Sequence, residues 1–184
     1  LDAGSGLLLP GSPRPQPDLK AASAAVTSLS DVAREQVLGQ APADWLADTP
    51  TASALYHWTQ AIDTPAARLL REITNQGWSA LGRAPMRALP PLTDAVLETR
   101  LQGPEADDFI ARPHWAGAPA ESSPFTRQLG QALIADLNQT QGNGLMTRLA
   151  VQLVELASIL AGLPTRLATL DEDGDDTWGQ PAMG

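Results

Sequence analysis

Trp115, Glu121 and Arg127 stand close together in RPHWAGAPAESSPFTR, residues 112–127. They are an aromatic outside any apolar stripe, a lone carboxylate and a guanidinium, a set suited to recognition rather than to bond making. A Trp side chain carries about 150–250 Å² of surface for a partner to cover, and an ion pair can hold the loop that presents it. Glu121 and Arg127 lie too far apart in sequence to share a helix face. They meet only if Glu121 folds back from the loop that precedes a helix start at Ser123-Pro124. The plainer arrangement has Glu121 complementing the positive end of that helix while Arg127 points to solvent.

Other chemistries find little to work with. The chain contains no cysteine, which removes disulfides, thiolate metal ligands and a Cys nucleophile together. His57 and His114 are the only histidines, and no H-x-x-x-H or H-E-x-x-H spacing starts a metal site. There is no G-x-S-x-G elbow for a serine nucleophile, and His57, between Tyr56 and Trp58, reads as a partly buried structural residue. DEDGDD, from Asp171 to Asp176, has its glycine at the wrong place for a calcium loop and no glutamate at the closing position. It reads as a solvated acidic segment. Gly4 and Gly6 follow no strand and precede no Lys-Ser/Thr pair, so they are no phosphate cradle.

The formal net charge is −9, a surface that repels nucleic acid and anionic membrane. No apolar run approaches the roughly 20 residues of a membrane span. We therefore expect a cytoplasmic protein with no membrane span and no nucleic-acid partner.

The elements that must position the candidate residues are helical. Strand alternation is nearly absent, and Pro and Gly cut the chain into short pieces. Ser28 and Asp31 suggest a capped helix start, with Val32, Ala33, Val37 and Leu38 on one face and Gly39 as a stop. Thr49-Pro50 and Thr64-Pro65 have the form of helix starts. Leu55, Trp58 and Ile62 follow the first, and Leu69, Leu70, Ile73, Trp78 and Leu81 the second. A shorter helix spans Thr93 to Gln102, with Val96, Leu97 and Leu101 inward. Phe125, Leu129, Leu133 and Leu137 mark a helix from Ser123 that closes near Gly142. Leu145, Leu149, Leu153, Leu156, Leu160 and Leu163 form the stripe of a helix from Gly144 to Pro164, paired antiparallel with the one before it. Apart from Trp115, the tryptophans read as core plugs. The expected fold is mainly α: an irregular helical domain of about six helices over residues 19–168, preceded by an arm or loop at 1–18 and followed by an acidic linker or tail at 169–184.

Pro113 to Leu160 resembles the late part of the nickel-iron hydrogenase large-subunit family, and more closely its catalytically degenerate relatives, the hydrogenase expression proteins of the HupK/HoxV type. The likeness rests on Trp115, Gly117, Pro119, Glu121, Pro124 and Arg127, set against a P-x-W-x-G-x-P segment leading into an E-T-G-P-L-A-R-like motif. It also rests on Arg148 within TRLAVQLVELASIL and on the A-R-E helix of DVAREQVLGQAPADWL. Ser122-Ser123 replaces Thr-Gly, and Phe125-Thr126 replaces Leu-Ala. The resemblance implies a reduced large-subunit fold without the cysteine pairs that hold nickel and iron. It further implies an accessory or scaffold protein, not an enzyme, whose partners are hydrogenase maturation proteins or hydrogenase subunits. Trp115, Glu121, Arg127 and Arg148 become the partner-binding residues, with Glu121 paired to Arg127 and Trp115 beside them. No resident cofactor is expected, and a transient iron with cyanide and carbonyl ligands is what the resemblance allows. The competing expectation is a generic α-helical adaptor in another complex-assembly system, for which the leucine stripe and acidic tail suffice.

With no thiolate and no preset histidine pair, the purified chain should retain no stoichiometric nickel after dialysis against a chelator. Elemental analysis checks this directly.

Overall fold

The computed structural model describes residues 18–85, 87–90, 92–112 and 114–172. The expected arm before Asp18 and the end of the acidic segment after Glu172, Trp178 included, lie outside the described residues. Within them the chain is mainly helical. The elements are α1 (Leu19–Ala33), a π-helical turn (Arg34–Leu38), α2 (Pro42–Asp48), α3 (Ala52–Ala61), α4 (Pro65–Asn75), α5 (Asp94–Gln102), α6 (Ala106–Ala111), α7 (Pro124–Arg127), α8 (Ala132–Gln141) and α9 (Leu145–Glu172). The strands β1 (His114–Trp115) and β2 (Ala118–Pro119) form one antiparallel pair.

Helix α9 is the axis of the fold, with α1, α2, α4, α7 and α8 packed around it. Its buried stripe is Met146, Thr147, Ala150, Val151, Val154, Ala157 and Leu160. The expected leucines Leu145, Leu149, Leu153, Leu156 and Leu163 are only partly buried and flank this stripe. Small side chains at the crossing lines let neighbouring helix axes come close, and the longer leucines then fill the grooves on either side. The helix also runs past Pro164 to Glu172, so the acidic segment begins within a helix rather than as a linker at residue 169. Residues Leu145–Leu170 are long and apolar enough to cross a membrane by length and composition, contrary to the expectation that no apolar run approaches a span. Arg148, Gln152 and Glu155 interrupt the run without lowering its mean hydropathy far. In this fold 39% of the segment's apolar window is buried, the part that other helices pack against.

Tryptophan builds the second half of the core. Trp45 is fully buried and meets Trp58 edge to face, ring centroids 5.7 Å apart. Trp58 Nε1 donates to the Leu38 carbonyl at 2.8 Å, taking up an acceptor at the end of the π turn. Gly39 follows with φ 74°. A side chain there would also run into Ile62, whose Cγ2 lies 2.5 Å from where a Cβ would stand.

Several boundaries differ from expectation for identifiable reasons. Helix α1 starts at Leu19 because Asp18 caps it, its Oδ1 accepting from the Ala21 amide at 2.8 Å. Ser28 therefore lies mid-helix, and Val32 faces solvent. Thr49 ends α2 rather than starting α3, its hydroxyl donating to the Trp45 carbonyl at 2.6 Å. The cap of α3 is Thr51, and a second cap comes from Asp136 on α8, which accepts from the Ala52 amide at 2.8 Å. Thr64-Pro65 does start α4, but that helix stops at Asn75; Leu69 on its outer face and Trp78 and Leu81 beyond its end are about half exposed. His57 is exposed too. The helix expected from Ser123 to Gly142 is broken into α7 and α8, and α2 and α6 add to the expected set. α5 and α6 pack on each other and bury no residue of their own.

Leu160→Ala should cost about 2–5 kcal/mol, the range for a fully buried leucine, and Leu153→Ala less. Urea denaturation of both variants checks the register of α9. A larger loss at Leu153 would return it to the centre of the stripe.

Candidate functional site

Chain after α4 turns through residues 79–82 and continues without regular structure over residues 83–85 and 87–90, a strap across the start of α9. The N-cap position of α9 is Gly144, which has no side chain to satisfy the first-turn amides. The strap does so instead: Leu145 N–H donates to the Leu81 carbonyl at 2.8 Å and Met146 N–H to the Ser79 carbonyl at 3.2 Å. Glycine is needed there because a Cβ on Gly144 would lie 2.5 Å from the Ser79 oxygen. Asn143, also buried, reads the strap backbone like a strand partner, donating to the Ala84 carbonyl at 2.8 Å and accepting from its amide at 3.2 Å.

Further along, the strap meets Glu121. The Glu121 amide donates to the Arg87 carbonyl at 2.8 Å, and the Leu89 amide donates to the Glu121 carbonyl at 2.9 Å. The side chain then reaches α9. Arg148 grips it with both guanidinium nitrogens, Nη1 to Oε1 at 2.9 Å and Nη2 to Oε2 at 3.1 Å. The Ser123 hydroxyl donates to the same carboxylate, Arg148 Nε donates to the Asn143 carbonyl at 3.1 Å, and the guanidinium lies 5.6 Å from the centre of the Phe125 ring. Hydrogen bonding from Arg148 holds the Glu121 carboxyl below its ordinary 4.5, against the opposing effect of desolvation. The same bonding raises Arg148.

This corrects the expected pairing. Arg127 does not meet Glu121; its Nε donates to Glu155 Oε1 at 2.8 Å, and that bond raises its pKa. The reason lies in the spacing on α9. Arg148 and Glu155 are one heptad apart and so share a face, while residues 121 to 127 lie alongside. Two rungs of opposite sense, Glu121 to Arg148 and Arg127 to Glu155, lock α7 to α9. Nothing local in the sequence marks Glu155 as a partner for Arg127. The helix start itself is as expected: Ser123 is the N-cap, its amide donating to Thr126 Oγ1 at 2.9 Å, and Pro124 opens the helix.

Trp115 sits on β1, half-buried, with Arg100 of α5 5.6 Å from its ring centre. The hairpin turns through Ala116 and Gly117, at φ 49° and 75°, the paired left-handed residues of a tight I′ turn. Pro119 belongs to β2 rather than to the turn. Of the four candidate residues, the fold joins Glu121 and Arg148 and gives Trp115 and Arg127 separate partners.

Beside the clasp lies an open cleft of about 670 Å³, with Arg83, Pro85 and Ala88 of the strap on one side and Phe125, Leu129 and Asn138 on the other. Among the described residues, no three His, Asp or Glu side chains converge as metal ligands.

A double-mutant cycle on Glu121→Gln and Arg148→Met should show coupling, with each single change costing about 1–3 kcal/mol because a half-buried partner is stranded. The cycle on Glu121→Gln and Arg127→Met should be additive. Because the folded-state pKa of Glu121 is lowered, the contribution of the clasp is complete above pH 4.5 and is lost as the pH falls through the folded value. The acid limb of a stability curve should therefore flatten in Glu121→Gln.

No family model, curated protein or solved structure matches this chain.

Proposed function

We propose that this protein is a cytoplasmic accessory or scaffold in nickel-iron hydrogenase maturation, large-subunit-like, without the metal-binding cysteines, and acting through protein–protein contacts rather than catalysis. One observation carries the reading. Glu121 and Arg148 come from the two separate stretches on which the resemblance to HupK/HoxV-type proteins rests, and they form a single clasp. A shared motif pair that folds into one interaction has a structural reason to occur together. The half-exposed Trp115 and Trp78, the strap and the adjoining cleft supply surface for a partner to cover. The partners under this reading are hydrogenase maturation proteins or hydrogenase subunits, and iron with cyanide and carbonyl ligands would pass through only transiently.

The alternative, an adaptor in another assembly system, draws on the α5–α6 excursion, which carries the exposed Leu101 and Ile110 outside the core. The experiment is affinity capture of the tagged full chain from cells expressing a nickel-iron hydrogenase and its maturation proteins. Capture of those proteins is expected, together with its loss in Trp115→Ala at unchanged thermal stability. Recovery of an unrelated assembly, with no hydrogenase component, would favour the adaptor.

A further inference from the structure

We propose that the cleft between the strap and helices α7 and α8 is a receptor for a carboxylate carried on an apolar body. Its volume, about 670 Å³, falls within the range of small-ligand pockets. The walls are largely apolar and held in place: Phe125 is buried against the core with Arg148 against its ring, and Leu129 packs on the same core. Pro85 and Ala88 face them from the strap.

The polar side chains of the cleft are few: Arg83, Asn138 and Asn143. Among the described residues no carboxylate lines it, although the chain as a whole carries a net charge of −9, and Arg83 is the one charged side chain among them. Arg34, Arg68, Arg127 and Arg148 are paired with carboxylates, and Arg71 is engaged by the carbonyls of Thr59 and Ile62. Arg83 has neither kind of partner among the described residues. Its guanidinium lies over Gly142, at φ 72°, where a Cβ would stand 2.8 Å from the guanidinium carbon. Glycine there leaves room for the cation to reach the cleft. The exposed Asn138 side chain lines the same space with its carboxamide uncommitted, whereas that of Asn143 is engaged by Ala84. One guanidinium fork with a neighbouring amide matches a monocarboxylate, and the apolar walls match a hydrocarbon body. A phosphate dianion would call for more donors than the cleft offers.

The test is calorimetric titration of the full chain with two probes, a hexapeptide ending in leucine with a free carboxylate and N-acetyl-leucine, each against its C-terminal amide. The acid forms should bind more tightly than the amides by about ten- to a hundredfold, the worth of a charge-assisted hydrogen bond. Arg83→Met should abolish that preference, Arg83→Lys should keep part of it, and Asn138→Ala should weaken it at unchanged thermal stability. Binding of the peptide alone would identify the source as a chain terminus; binding of both probes would admit a free small carboxylate. Equal affinity for acid and amide, an unchanged preference in Arg83→Met, or no binding of either acid at millimolar concentration would overturn the proposal.

Discussion

The first turn of α9 has to find acceptors for its backbone amides without a side chain at the cap, and most of the described site follows from how it does so. Gly144 lets the strap approach closely enough for the carbonyls of Leu81 and Ser79 to serve. Asn143 adds two bonds to Ala84, and further along the strap Arg87 and Leu89 bond to the Glu121 backbone. Glu121 completes the arrangement. It bonds to the strap through its backbone and to α9 through its side chain, placing a carboxylate near the positive end of the helix, where the dipole also favours it.

The two ion-pair rungs give α7 its register. A helix of four residues cannot hold itself in water, so it depends on the Ser123 cap at one end and on α9 along its side. A partly buried pair adds little net stability over a well-packed apolar contact, but breaking one partner is costly. The Glu121–Arg148 clasp is thus better understood as selecting one arrangement of α7 than as a source of stability. Arg127 and Glu155, more exposed on the arginine side, add direction at lower cost to lose. Beside α7, Phe125 and Leu129 pack on the core and line the cleft next to the clasp.

The central helix joins two properties that sequence alone cannot separate. Its length and hydropathy suit a bilayer, yet its most buried positions are small or medium residues, Ala150, Val151, Val154 and Ala157, over which other helices cross. Against that core, the α5–α6 excursion stands apart. It ties to the hairpin through Arg100 and Trp115 and contributes no buried residue. Such an element can change its exposed side chains without disturbing the fold.

Local rules determined a good part of this protein from the sequence. Thr64-Pro65, Thr93 and Ser123-Pro124 start helices as their chemistry requires, Gly39 and Gly142 end them at positive φ, and the rarity of strands makes the fold mainly α. Each of these depends on neighbours within a turn, so residue type and spacing suffice. What only the tertiary structure decided are matters of which surface meets which. Glu121 selected Arg148 over the nearer Arg127 because α9 brings a guanidinium to it from 27 residues away. Asp136 caps α3 across 84 residues, and a strap with no periodic pattern caps α9. The leucine stripe marked α9 as a helix, but the helices that pack on it put the alanines and valines at the centre. An ion pair or a crossing angle is a relation between segments, and no local pattern encodes it.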